Sequence, residues 1–132
     1  MLRYTLVDEK AQKPTVATFH SVGYDLYSSQ DTIIAPGSLV EISTGVAVEI
    51  ADGHFGRLFA TIDVAKEPVI IKSDIIKPGS FSIVKCSIFN LHPTKDFVIE
   101  KGCKIAQLVI QEYSLPSLVE FAKSTDAESY NE

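Results

Sequence analysis

The sequence predicts an all-β fold, a sandwich, jelly roll or barrel of short strands with at most one short helical connector. Two observations carry this. Apolar and polar residues alternate with period two at several places along the chain, and clusters of Pro, Gly and Asp interrupt that pattern at short intervals. A third observation sets the scale: 132 residues, 45% apolar and only 22% charged, suit one packed domain and leave little room for a second.

Taken in order, Leu2, Tyr4 and Leu6 alternate with Arg3 and Thr5, as a half-buried strand requires. Gly23-Tyr24-Asp25-Leu26 opens a strand directly after Ser21-Val22, and Val46 and Val48 alternate with Ala47 and Glu49. Turns are expected at Ala35-Pro36-Gly37-Ser38, Ala51-Asp52-Gly53-His54, Lys77-Pro78-Gly79-Ser80 and Glu100-Lys101-Gly102, where Gly tolerates positive φ and Pro presets the turn value. Thr61 to Glu67 is the one helical stretch, about two turns, ended by Pro68.

Val84, Cys86 and Ile88 mark a further strand, and Cys103 to Ile110 another. The latter is apolar on both faces, which burial against a neighbouring subunit would explain. Gln111 to Pro116 reads as a linker, and Ser117 to Lys123 as a piece that packs or pairs. Ser124 to Glu132, polar and acidic, is expected to be mobile. The division is therefore a β domain over 1–116 and a C-terminal extension over 117–132.

The formal charge of -5 and a pI near 5.1 argue against broad binding to nucleic acid, which needs clustered Lys and Arg. Apolar runs such as Pro68 to Ile71 and Ile105 to Ile110 are far shorter than the roughly 20 residues a membrane helix needs. The start, Met1-Leu2-Arg3-Tyr4-Thr5, lacks the features of a secretory signal, so the expected location is intracellular, cytoplasmic or nuclear, and not secreted. Cys86 and Cys103 are then free thiols, each expected to be buried within a strand pattern, and two cysteines with three scattered histidines offer no zinc spacing.

Two segments carry a family resemblance. Gly23-Tyr24-Asp25-Leu26-Tyr27-Ser28 and Gly102-Cys103-Lys104-Ile105-Ala106-Gln107-Leu108 resemble the first and fourth motifs of the trimeric dUTPases. The resemblance covers roughly residues 2 to 115 and implies a dUTPase-like jelly roll, a barrel of the β-clip kind, assembled as a homotrimer. It implies that Asp25 approaches a magnesium ion, a hard cation suited to one or two carboxylate oxygens. Gln107 and Arg57 are implied as remnants of phosphate binding. With no phosphate left to serve, Asp25 is expected to stand partly solvated.

Elsewhere the chain departs from the family pattern. Aligned on Gly56-Arg57, Thr61 stands where the family has Arg, Ile62 where it has Ser, and Asp63 adds a negative charge beside the phosphates. Counting back from Phe89-Asn90, Lys77 falls at the water-activating Asp and Ser80 at the Tyr beneath the sugar. An ammonium has no lone pair with which to accept a proton. Asp74 is the one local acid and would be the catalytic residue if the chain were active. The glycine-rich closing arm of the family has no counterpart in Ser124 to Glu132.

Three functions follow in order of preference. The first is a non-hydrolysing dUTPase-like homotrimer, in the manner of viral regulatory proteins, that engages a protein partner yet to be identified and keeps at most residual dUTP or dUMP binding. The second is a magnesium-dependent dUTP pyrophosphatase yielding dUMP and pyrophosphate. The third is a viral structural or scaffold element. No cofactor is implied beyond Mg²⁺, and that only where a nucleotide binds.

Overall fold

The computed structural model describes residues 1–72 and 74–122. Among the described residues nine strands and one turn of helix follow one another: β1 (Leu2–Leu6), β2 (Tyr24–Tyr27), β3 (Thr32–Ile34), β4 (Leu39–Ile50), β5 (His54–Phe59), α1 (Ile62–Ala65), β6 (Val69–Lys72), β7 (Ser82–Asn90), β8 (Phe97–Ile99) and β9 (Lys104–Glu112). The fold is all-β, as the alternation implied. Three sheets form, in the orders β1-β4-β7-β6, β2-β9-β5 and β3-β8, with every pair antiparallel.

The core lies where the inward faces meet. Ile42, Val46, Val48 and Ile50 of β4, with Val84, Cys86 and Ile88 of β7, face Leu26 of β2, Leu58 of β5 and Ile105, Ala106 and Leu108 of β9. Burying a side chain of this size contributes about 1.5–3 kcal/mol, so this cluster outweighs any surface pairing in holding the sheets together. β4 can run for twelve residues because it bends: the β4–β7 register shifts between Ser43 and Ala47, where Gly45 takes φ +67°. The buried Thr44 hydroxyl donates to the Val84 carbonyl at 2.8 Å across that irregularity.

A second polar tie closes the opposite end. Asn90, 1% exposed, donates from Nδ2 to the carbonyls of Ile34 and Lys95 at 2.9 and 2.8 Å, and its Oδ1 accepts from the His92 N–H at 2.9 Å. All three bonds are made by one side chain, which anchors the β3-β8 pair to the end of β7.

Several expectations need correction. Cys86 is buried but Cys103 is exposed, because it sits in the turn ahead of β9 rather than within the strand. The helix spans four residues, not seven, since only Ile62–Ala65 are capped by Thr61 before Pro68 forces extension. β9 runs on through Glu112, two residues beyond the expected end. Its apolar residues Ile105, Ala106 and Leu108 are fully covered within the single chain, because β9 is the central strand of its sheet. Burial by another subunit is therefore not needed to explain them.

Residues 113–122 form neither helix nor strand. Tyr113 is tied to the domain, its N–H donating to the Gly53 carbonyl at 3.0 Å and its ring 5.8 Å from that of Phe55, but Leu115, Leu118, Val119 and Phe121 are 88%, 101%, 81% and 73% exposed, so the expected packing of the 117–122 stretch is not seen. The expected mobile tail, Ser124 to Glu132, and the comparison of that tail with a closing arm lie outside the described residues.

Candidate functional site

The β2–β9 ladder sets Asp25 directly opposite Gln107, and β5–β9 pairing sets Phe59 opposite Gln107 from the other side. The chain leaving Phe59 therefore delivers Ala60, Thr61 and Asp63 beside the same strand position. A cavity of about 440 Å³ forms there, with Asp25, Gln107 and Lys104 on its sheet side and Thr61 and Asp63 at the helix. Ala17, Thr18 and Ser21 close it from the loop between β1 and β2.

Each wall has a local cause. Gly23 lets β2 start tight against β9, since a Cβ there would lie 2.5 Å from the Leu108 carbonyl oxygen. Asp25 is fixed by its backbone as well, its N–H donating to the Thr15 carbonyl at 2.7 Å and its carbonyl accepting from Thr15 at 3.2 Å. The loop is shaped by Ser21, whose Oγ accepts from the Thr18 N–H at 3.0 Å while its own N–H donates to the Thr18 carbonyl at 3.1 Å. Thr61 extends at ψ 163° and its hydroxyl accepts from the Val64 N–H at 3.5 Å, the capping bond that starts α1.

The electrostatics of this cavity are those of an acidic pocket. Asp25 is 5% exposed, so the expectation of a partly solvated carboxylate fails. The Lys104 ammonium stands 3.3 Å from Asp25 Oδ2, close enough to pair in charge, yet that oxygen is buried without a hydrogen bond. The pair is thus held by charge and proximity, with heavy-atom angles outside hydrogen-bonding geometry. Lys104 balances one carboxylate, and Asp63 leaves the lining one unit negative.

The other residues singled out from sequence lie apart. Arg57 is exposed on the edge strand β5, its guanidinium 5.2 Å from the Phe59 ring, and does not line this cavity. Asp74 is exposed in the segment before Ile76, whose N–H and carbonyl pair with Gly56 at 2.8 and 2.9 Å. Lys77 belongs to a different cleft of about 500 Å³, with Phe55, Ile75, Pro78 and Tyr113. Within one chain, then, Asp25 and Gln107 are brought together, whereas Arg57, Asp74 and Lys77 are not brought to them. Sequence reasoning missed Thr18 and Ser21 as walls, although hydroxyls three residues apart before a glycine are a turn signal.

Magnesium fits these residues poorly. Such a site uses one or two carboxylates together with phosphate oxygens and retained water. The buried oxygen of Asp25 already faces an ammonium, and no group of three or more His, Cys, Asp or Glu gathers among the described residues. No helix of the described residues is long and apolar enough to cross a membrane.

Comparison with known proteins agrees with the architecture. The family model described as dUTPase matches residues 9–132. A deoxyuridine 5'-triphosphate nucleotidohydrolase of Mycolicibacterium vanbaalenii is 32% identical over 124 residues, covering 92% of this chain and 80% of that protein. Its counterpart in the yeast Debaryomyces hansenii is 34% identical over 112 residues, 84% of this chain and 69% of the relative. Among solved structures, the dUTPase of Staphylococcus bacteriophage 80alpha with dUPNHPP superposes with a TM-score of 0.88 at 25% identity, covering 96% of this chain and 90% of that one. With the matched model spanning most of its length and both motif strands paired in one sheet, this chain belongs to the dUTPase family.

Proposed function

We propose that this dUTPase-family chain does not hydrolyse dUTP and works as a homotrimer through protein contacts. The observation that carries the proposal is the lining of the Asp25 cavity. Triphosphate recognition calls for cationic and hydroxyl donors aimed at phosphate oxygens. Here the helix side presents Asp63, and the one ammonium of the lining, Lys104, is paired with Asp25. A triphosphate would meet net negative charge.

The position that the family resemblance assigns to the water-activating acid adds a second reason. Lys77 can donate but not accept, so it cannot take a proton from water. Loss of a general base alone costs about 10²- to 10⁴-fold in rate. The trimer is supported by Leu115, Leu118, Val119 and Phe121, an apolar run left uncovered in one chain that neighbouring copies would bury. A viral regulatory role and the 1–116 and 117–132 division belong to this proposal; phage proteins among the similar folds favour the former.

A second reading is hydrolysis of dUTP, favoured by relatives at 32% and 34% identity that are named nucleotidohydrolases. Under it Asp74 would replace the missing acid, with Asp25, Gln107 and Arg57 toward the phosphates and a metal. Pyrophosphate release from dUTP with Mg²⁺ separates the two. The expected result is no release above buffer, with no heat on titrating a non-hydrolysable dUTP analogue. Turnover of about 1 per second or faster would overturn the proposal, and loss of that turnover in Asp74→Asn would establish the second reading. Sedimentation is expected to give a trimer; a stable monomer would remove that part.

A further inference from the structure

We infer that His92 is a pH-sensitive clasp on the loop between β7 and β8: the neutral ring holds the loop closed, and a proton on its Nδ1 releases it. The inference is independent of whether dUTP is hydrolysed. His92 Nδ1 accepts from two backbone N–H groups at once, that of Thr94 at 3.1 Å and that of Lys95 at 2.9 Å. A backbone N–H only donates, so Nδ1 supplies a lone pair to both and the proton of the neutral ring sits on Nε2. An imidazolium carries a proton on each nitrogen and has no lone pair to offer. The ring therefore cannot take up a proton and keep these two bonds.

The loop is built to register that change. The Asn90 side chain accepts from the His92 N–H at 2.9 Å and donates to the Lys95 carbonyl at 2.8 Å and to the Ile34 carbonyl at 2.9 Å. Lys95 is thus gripped twice, its N–H by His92 and its carbonyl by Asn90. Only the first of these grips titrates. Asn90 has a buried partner in Ile34 that no proton removes, so the end of β7 stays fixed while the N–H groups of Thr94 and Lys95 turn toward water.

The surroundings leave His92 as the group that decides. Pro36 and Gly37 of the preceding turn and Phe89 and Asn90 at the end of β7 share a groove with it, and none carries a charge. The Leu91 N–H donates to the carbonyl of Pro68, which follows the exposed Glu67. Lys95 and Asp96, both exposed, are the charged residues of the loop itself. No ion pair reaches His92 among the described residues. Imidazole changes charge between about pH 5 and 8, a range in which Lys stays charged and ordinary carboxylates stay ionised. The two loop bonds are present while the ring is neutral and are lost as pH falls through that range.

The test is amide hydrogen exchange of the full chain, read by NMR above and below this range and corrected for the intrinsic pH dependence of exchange. Protection of the Thr94 and Lys95 amides is expected to fall at least about fivefold at the lower pH, the loss of one hydrogen bond of ordinary net strength. Amides of β4 and β7 report global opening in the same spectra, and the loop loss is counted beyond theirs. His92→Asn keeps a side-chain oxygen that can accept from the N–H two residues on and does not titrate, so its loop is expected to stay protected at both pH values. His92→Ala should lack the protection at both. Unchanged protection in the parent chain, or retained protection in His92→Ala, would overturn the inference. An equal fall in His92→Asn would assign the effect to Asp96 or Glu67 and overturn it as well. Should His92→Asn leave the loop open throughout, the ring carbon shifts of His92 in the parent chain decide: they must titrate with the same midpoint as the loop protection, and separate midpoints would defeat the clasp.

Discussion

The two halves of the Asp25 cavity are held by different forces. On the sheet side, Asp25 and Gln107 are opposite one another in a backbone ladder whose neighbouring positions, Leu26, Ala106 and Leu108, are wholly buried. On the helix and loop side, Asp63 is exposed, and Thr61 is placed by two local bonds at the start of α1, its hydroxyl accepting from Val64 and its carbonyl from Ala65. A strand position inside a core cannot change without disturbing its neighbours, while a loop position can exchange charge for charge at little cost to folding. That contrast accounts for a chain that keeps the strand-borne motifs of its family and carries Thr61, Ile62, Asp63 and Lys77 at positions the resemblance assigns to other chemistry.

The contrast breaks first, if it is wrong, at Ile105. This side chain is 1% exposed within one chain, so Ile105→Asp places a carboxylate in the core and is expected to abolish cooperative unfolding rather than merely dissociate subunits. A folded monomer by circular dichroism and sedimentation would show that the strand half is held from outside. Next in size is Gly23→Ala. The added methyl meets a backbone oxygen at 2.5 Å, and a loss of about 1–3 kcal/mol in denaturant titration is expected.

Alkaline pH probes the same core from within. Burial pushes the Cys86 thiol up to about 12 from an ordinary 9.0. Above pH 9 the unfolded chain releases this proton and the folded chain holds it, so stability falls as pH rises from 9 toward 12 and is fully present below 9. Cys86→Ala should flatten that alkaline slope in denaturant titrations, and a thiol reagent at pH 8 should label Cys103 alone until the chain unfolds. The smallest effects belong to the helix side. Thr61→Ala is expected to cost about 1 kcal/mol through the lost cap, and Asp63→Asn to fall within about 0.5 kcal/mol of the parent.

The sequence by itself determined the strands and most of their punctuation. Period-two alternation located β1 and the end of β4 as strands, but not their burial: Tyr4 and Leu6 of β1 are each 44% exposed, so that strand is not half-buried as expected, and Val46, Ala47 and Val48 are covered on both faces. Pro68 ended the helix because a proline ring cannot continue it. It also determined that Gly23 to Ser28 and Gly102 to Leu108 belong together as motifs. Only the tertiary structure decided what those motifs face. Cys103 fell in an exposed turn despite its apolar neighbours, and Ile105 proved to be core rather than interface, because the central place of β9 is a matter of strand order that no local pattern records. Asp25 proved buried beside Lys104, and Thr18, Ser21, Thr61 and Asp63 met around it from two separate segments. Charge balance in a cavity depends on distances between residues far apart in the chain, and those distances come into being only when the sheets pack.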